Sequence, residues 1–447
     1  VALDKMVQCA VRAEKAGFDA IQIHGDRLLG TLCGTKMNKR TDQFGGSLEN
    51  RVRFARMVTR AIRAAVPNLI LDYKLSVITP ERGKGGIDRV DAVQFALWLQ
   101  DDGVDMLHVA QGNHTGNMAD TIPPMGVQPY GFFSEIAMDV KRAVRIPVST
   151  VGRIVDPTMA ENIIASGVAD IVAVGRPLLA DPDWVVKLEC GHGQAIRRCI
   201  SCNKGCVDTI QNRQPIGCVL NAETGFELER SIVPADVRKK VSVVGGGAAG
   251  LEAARVSAVR GHEVTLYEKE RALGGQLHLA SAAPRKHEVG RVLQDLTAAA
   301  VAAGVTIQQG TAVTEDELLA TQADAVIVAV GAVPVNPSIP GHEGPNVLDA
   351  WQVISGKEQA FGKVVVIGGG LVGCETAELL ATQGCDVTIV ELLGTVATGE
   401  SITVLPTLME EFAKFGVTQR LETTVTKIAA DHVECQAKDG TDFEIPC

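Results

Sequence analysis

Five short apolar runs punctuate the first part of the chain: FDAIQIH at 18–24, LILDYKL at 69–75, VDMLHV at 104–109, RIPVSTV at 145–151 and ADIVAV at 169–174. Between them lie stretches with helical spacing of their apolar positions, at 48–65, 88–102, 134–144 and 156–166, and an amphipathic stretch at 1–16 leads into the first run. Strand-length runs joined through helices predict parallel βαβ units. Polar or glycine-rich loops follow the runs, and no G-x-G-x-x-G follows the first of them. The pattern therefore predicts α/β architecture in the form of the later part of a (β/α)8 barrel, which needs eight strands to close. The chain is expected to begin inside that barrel.

After a polar connector at 223–240 the pattern changes. In KVSVVGGGAAGLEAARVSAVRGHEVTLYEKE an apolar strand leads into Gly245, Gly247 and Gly250, then a helix, then a second strand ending in Glu268 with Lys269 beside it. The glycines permit a tight turn, backbone approach to a pyrophosphate at the helix N-terminus and close helix–strand packing, while the acid can accept from ribose hydroxyls. KVVVIGGGLVGCETAELLATQGCDVTIVELL repeats the unit, with Gly368, Gly370 and Gly373 and with Glu391 at the end of its second strand. Tandem dinucleotide folds suggest one flavin and one nicotinamide. The second is expected to stop short at Cys447.

Four cysteines sit at the junction of these two patterns. Cys199, Cys202, Cys206 and Cys218 have the spacing C-x2-C-x3-C-x11-C. Four thiolates, three of them close together, are a ligand set for a [4Fe–4S] cluster. Zinc is the alternative, although structural zinc more often takes two separated close pairs, and disulfides suit a reducing compartment poorly. Cys9, Cys33, Cys190, Cys374, Cys385, Cys435 and Cys447 are scattered and read as small apolar residues.

Composition adds exclusions. Among 447 residues aromatics are 4% and glycines number 46, as in layered strand–helix domains with glycine at the turns. A formal charge of −10 argues against nucleic acid or an anionic membrane as partner. With no long apolar stretch and no signal-peptide pattern, the expectation is a soluble cytoplasmic protein. Oligomeric state is not legible.

Two loops late in the first part look like phosphate cradles: Gly152-Arg153 after the fourth run and Gly175-Arg176 after the fifth. Glycine admits backbone N–H groups to an anion, and arginine supplies charge.

The runs TDQFGGSLENRVRF (41–54), DYKLS (72–76), VAVGRPLLADPD (172–183) and CISCNKGC (199–206) resemble the long-chain branch of the old yellow enzyme family, which includes 2,4-dienoyl-CoA reductase, 2-enoate reductases and trimethylamine dehydrogenase. The resemblance covers essentially the whole chain. It implies an FMN barrel with the phosphate at Gly152, Arg153, Gly175 and Arg176, and with Lys74 facing the flavin pyrimidine ring; the first three barrel strands would be absent here. It further implies FAD in the first dinucleotide fold, contacted by the LGGQL loop through Gln276, and NAD(P)H in the second. Glu391 there favours NADH by repelling a 2′-phosphate. Implied boundaries are 1–189 for the barrel part, 190–235 for the cluster segment and linker, 236–350 for the FAD domain and 351–447 for the nicotinamide domain.

At the position where dienoyl-CoA reductases carry a tyrosine acid, this chain has Arg27, in HGDRLLG. A permanently charged guanidinium serves better as an anion clamp or oxyanion stabiliser than as a proton donor. His114, in QGNHTGN, matches an active-site histidine beside the substrate carbonyl. Asp26 could pair with Arg27 and orient it. A His-Gly-Asp-Arg loop also resembles the bilirubin reductase subtype, whose tetrapyrrole carries two propionates. The expected activity is NAD(P)H-dependent reduction of a C=C bond conjugated to a carbonyl, in an enoyl-CoA, a 2-enoate or a tetrapyrrole, with Arg27 and His114 as catalytic residues. An amine dehydrogenase of the trimethylamine type and an electron-transfer scaffold without catalysis are the alternatives.

Overall fold

A computed structural model describes residues 1–78, 86–112 and 118–447. The chain divides into two compact units, Val1–Leu178 and Leu179–Cys447.

In the first unit the strands are β1 (Ala20–Gly25), β2 (Ile70–Ile78), β3 (Ile87–Asp88), β4 (Met106–Gln111), β5 (Val148–Thr150) and β6 (Ile171–Val172). β1, β2, β4, β5 and β6 are neighbours in that order, all parallel, with the two-residue β3 paired to β2. Sequential order without a reversal is how a barrel wall grows; a doubly wound sheet would switch direction. The helices Ala2–Lys15, Leu48–Ala65, Arg89–Asp101, Ser134–Ala143 and Pro157–Ala165 fall where the apolar spacing places them, within a residue or two at their ends. Three starts are fixed by side-chain caps: Ser47 accepts the Asn50 N–H, Asp88 accepts the Asp91 N–H at 3.0 Å, and Asp156 accepts the Thr158 N–H at 2.8 Å. Each such cap stabilises by about 1 kcal/mol.

Side-chain parity decides which way each strand faces. Leu71, Tyr73, Leu75 and Val77 of β2, with Leu107 and Val109 of β4, pack in one core with Val52, Ala55, Val58 and Ile62 of the helix Leu48–Ala65. Tyr73 meets Phe95 edge-on, ring centroids 5.7 Å apart. The alternate residues, Gln22 and His24, Asp72 and Lys74, His108, and Ser149, point away from the helices to the opposite face of the sheet.

The break between units falls ahead of residue 189, and hydrogen bonds explain why. Leu179 O accepts from Thr224 Oγ1 at 2.7 Å and from Asn221 Nδ2 at 3.2 Å. Buried Asp181 takes Lys187 Nζ at 2.6 Å and the Arg197 N–H at 2.8 Å. Residues 179–189 are thereby bound to the cysteine segment.

The second unit holds two Rossmann-type sheets. β7 (Lys240–Val244), β8 (Glu263–Glu268), β9 (Thr306–Gln309) and β10 (Ala325–Val328) form a parallel sheet of order β10-β7-β8-β9. β11 (Lys363–Ile367), β12 (Asp386–Val390) and β13 (Thr418–Arg420) form the second, beside an antiparallel meander of β14 (Thr423–Ile428), β15 (His432–Ala437) and β16 (Asp442–Pro446). Each Rossmann-type sheet has its own apolar core, around Val243, Leu251 and Leu266 in one and around Ala377, Val387 and Ile389 in the other. Two ion pairs tie them together: Arg285 grips Glu378 through two 2.7 Å hydrogen bonds, and Lys286 pairs with Glu375. No helix among the described residues is long and apolar enough to cross a membrane.

Candidate functional site

At the centre of the first unit's sheet, register aligns four polar residues from four strands. His24 lies opposite Lys74, Lys74 opposite His108, and His108 opposite Ser149. Neighbouring strands are about 4.8 Å apart, so these side chains form a continuous row on the face turned from the helices. His108 Nδ1 is 2.9 Å from Ser149 Oγ. Burial, reinforced by the charge of Lys74, pushes the His108 imidazole down to about 4, so it is neutral at physiological pH.

Beyond this row, towards the C-terminal ends of the strands, several buried polar groups lack a hydrogen-bond partner among the described residues: Ser76 Oγ on β2, the Gln111 amide on β4 and Thr150 Oγ1 on β5. Buried polar groups are nearly always paired, and orphans gathered at one strand end suit a polar ring system bound there. These residues fit FMN. Arg153 is buried, with its guanidinium carbon 4.3 Å from the Tyr130 ring centroid and a hydrogen bond to Gln128 O, while Arg176 donates to Pro123 O at 3.0 Å. The Gly152-Arg153 and Gly175-Arg176 loops thus lean on the same connecting segment, where the buried Gln128 amide is also without a partner among the described residues.

β1 ends at Gly25, and Asp26, only 2% exposed, caps the helix Arg27–Cys33 by accepting the Arg27 N–H at 2.9 Å. Arg27 itself has φ 48 and is exposed. Asp26 therefore braces Arg27 through its backbone and leaves the placement of the side chain to the turn. His114 lies outside the described residues.

In the second unit the four cysteines come together around Cys202. Burial pushes its thiol up to about 12, with the neighbouring Cys199, Cys206 and Cys218 adding in the same direction. The Ser201 N–H donates to Cys199 Sγ at 3.3 Å. Gly205 admits the fourth cysteine: a Cβ there would stand 3.0 Å from Cys218 Cα and 3.0 Å from Gly217 O. Among the described residues no three potential ligands stand in metal-binding geometry. Four sulfurs with an N–H aimed at one of them fit a thiolate-ligated cluster.

Both dinucleotide folds place a glycine at the N-cap of the helix that follows their first strand. Gly247 and Gly370 cap the helices Ala248–Val259 and Leu371–Thr382, and a Cβ at either would meet nothing within 4 Å, which is the open approach a pyrophosphate needs. In the first fold Gly274 and Gly247 form a β-bridge, and Gln276 donates to Ala332 O at 3.1 Å, so the LGGQL loop closes over the glycine turn. Lys269 is exposed beside it. These residues fit FAD. The two acids face inward. Glu268 accepts from the Gly246 N–H at 2.6 Å and the Glu270 N–H at 2.8 Å; Glu391 accepts from the Gly369 N–H at 2.5 Å and the Leu393 N–H at 2.7 Å. Each carboxylate braces its glycine turn from below.

Sequence reading passed over His108, Ser149, Gln111 and Ser76. A signal was available for His108, a polar residue between Leu107 and Val109 in an apolar run, but its partner is fixed by cross-strand register.

Residues 2–194 match the NADH:flavin oxidoreductase / NADH oxidase family, and residues 239–447 match the pyridine nucleotide-disulphide oxidoreductase family. The chain is 54% identical to a bilirubin reductase of Mediterraneibacter gnavus over 447 residues, covering 100% of this chain and 70% of that protein. It is 42% identical to an NADH oxidase of Thermoanaerobacter brockii, covering 98% of this chain and 68% of that one. A solved 2-naphthoyl-CoA reductase in complex with 2-naphthoyl-CoA superposes with a TM-score of 0.90 at 28% identity, covering 100% of this chain and 68% of that one.

Proposed function

Because the chain belongs to the NADH:flavin oxidoreductase / NADH oxidase family, in the old yellow enzyme and 2-enoate reductase branch that includes a bilirubin reductase and a cinnamate reductase, we propose that it reduces a double bond conjugated to a carbonyl in a substrate carrying carboxylates, with bilirubin as the leading candidate. The observation that carries this reading is Arg27, exposed at the C-terminal end of β1 and fixed at its backbone by buried Asp26. An exposed guanidinium recognises a propionate or polarises a carbonyl oxygen, and it cannot act as the proton donor. The 54% identity to a bilirubin reductase supports the same substrate class.

Lys74 supplies positive charge for the flavin pyrimidine ring, and neutral His108 beside it leaves that charge undivided. Gly152, Arg153, Gly175 and Arg176 serve the FMN phosphate, with His114 assigned to the substrate carbonyl. Gly245, Gly247, Gly250, Glu268, Lys269 and Gln276 hold FAD. Gly368, Gly370, Gly373 and Glu391 hold the nicotinamide nucleotide, for which the acid at the strand end favours NADH. Cys199, Cys202, Cys206 and Cys218 ligate a [4Fe–4S] cluster. When bound, these groups supply hydride and single-electron chemistry. Eleven cysteines, none of them in a disulfide among the described residues, suit the reducing cytoplasm.

The test is anaerobic. NADH should bleach the flavin of the full protein, and bilirubin should restore its colour faster than cinnamate or a dienoyl-CoA. Bleaching of the oxidised flavin by trimethylamine, or reoxidation of the reduced flavin by none of the alkenes, would overturn the reading.

A further inference from the structure

The turn that carries Cys206 is held at both ends by the loop that follows the second dinucleotide turn. Asn203, φ 62 and 1% exposed, donates from Nδ2 to Thr403 Oγ1 at 2.9 Å. Thr403 Oγ1 is 2.9 Å from Ser401 Oγ, and Ser401 Oγ donates to Asp208 Oδ1 at 3.0 Å. A hydroxyl has one proton. Since that of Ser401 goes to the Asp208 carboxylate, that of Thr403 must go to Ser401, which gives a directed chain Asn203 to Thr403 to Ser401 to Asp208. Both hydroxyl residues are fully buried, so the chain is shielded from water. Lys204 adds an ion pair to Glu400 at 3.1 Å and a bond to Gly399 O at 3.3 Å.

The other end of this loop touches the glycine turn. The Ala397 N–H donates to Gly369 O at 2.7 Å. That carbonyl belongs to the same peptide unit as the Gly370 N–H, at the N-terminus of the helix Leu371–Thr382 where a pyrophosphate would sit. A hydrogen bond at one end of a peptide unit polarises the other, so an anion at Gly370 strengthens the bond that Gly369 O accepts.

Resting on the reading that the cysteines hold a cluster and the second fold a nucleotide, we propose that Asn203 and Thr403 are positioning residues that couple the two sites, so that a nucleotide bound at Gly368–Gly373 alters the surroundings of Cys202 and Cys206. The first site to sense arriving reductant would then be the cluster segment, through hydrogen bonds rather than through electron transfer.

ADP-ribose tests this, because it carries the pyrophosphate but cannot accept or donate hydride. Added to the full protein with its cluster chemically reduced, it should change the electron paramagnetic resonance line shape of the cluster. Thr403→Val should abolish that change while iron content and ADP-ribose affinity stay within about twofold of wild type. Thr403→Ser, which keeps the hydroxyl, should retain it. An unmoved signal in the wild-type protein, with iron present and ADP-ribose bound, overturns the coupling alone and needs no variant; so does a wild-type response in Thr403→Val. If Thr403→Val fails to fold, Ser401→Ala cuts the same chain and a retained response there has the same meaning. Absence of iron from the full protein sinks the cluster assignment and the coupling with it.

Discussion

Glu268 accepts the backbone N–H of Gly246 at 2.6 Å, across a sequence separation that Glu391 and Gly369 repeat in the second dinucleotide fold. The acid expected to meet ribose serves also, in the folded chain, as a strut beneath the glycine turn. Hydrogen bonds to a charged acceptor contribute roughly 1.5–3 kcal/mol. Glu268→Ala should therefore loosen the turn and strip FAD from the purified protein, and Glu391→Ala should spare FAD while raising KM for NADH at least about tenfold, or about 1.4 kcal/mol. Flavin content and NADH kinetics measure both. Full FAD occupancy in Glu268→Ala would show the strut to be dispensable.

Helix docking in each fold depends on a glycine with no space beside it. A Cβ at Gly250 would stand 1.8 Å from Gly245 O, and one at Gly373 would stand 1.9 Å from Gly368 O. Backbone cannot yield that far without moving the helix. Gly250→Ala should lose FAD and Gly373→Ala should lose NADH-driven bleaching, each leaving the other site loaded. Isothermal titration with NADH, beside a flavin extraction, separates the two outcomes.

His108 gives a pH signature. The unfolded imidazole takes up a proton near pH 6.5 and the folded one only near 4. Between those values the unfolded chain binds more protons, so this residue makes stability fall as pH drops through the window and adds no further slope below it. Urea melts of wild type and His108→Gln at pH 7 and pH 5 should show a smaller loss in the variant. Equal losses would place the imidazole in water.

Arg27 is expected to act on charged substrates selectively. Arg27→Ala should raise KM for a carboxylate-bearing alkene about ten- to hundredfold, the range of a lost charge-assisted hydrogen bond of roughly 1.5–3 kcal/mol, and should change turnover of an uncharged enone far less. Arg27→Lys should recover part of the loss, because a point charge replaces a planar fork. Equal damage to both substrates would move Arg27 from recognition to folding.

Much of the architecture was written in local pattern. The five parallel strands of the first unit and the two β–turn–α starts follow from strand-length apolar runs, helical spacing and glycine placement, all of which act over a few residues. The cysteine spacing likewise announces a thiolate site, because three of the four, Cys199, Cys202 and Cys206, lie close together along the chain. Local pattern could not say that Lys74 stands between His24 and His108, since that row depends on how strands slide until their helix-side residues pack. Nor could it turn Glu268 and Glu391 inward, or bring Asn203 to Thr403 across a separation of 200 residues. Spacing along the chain is fixed by covalent geometry and is readable from the sequence. Which distant polar groups meet is decided when apolar faces are buried and the remaining donors and acceptors must find one another inside, and that is settled only in the folded molecule.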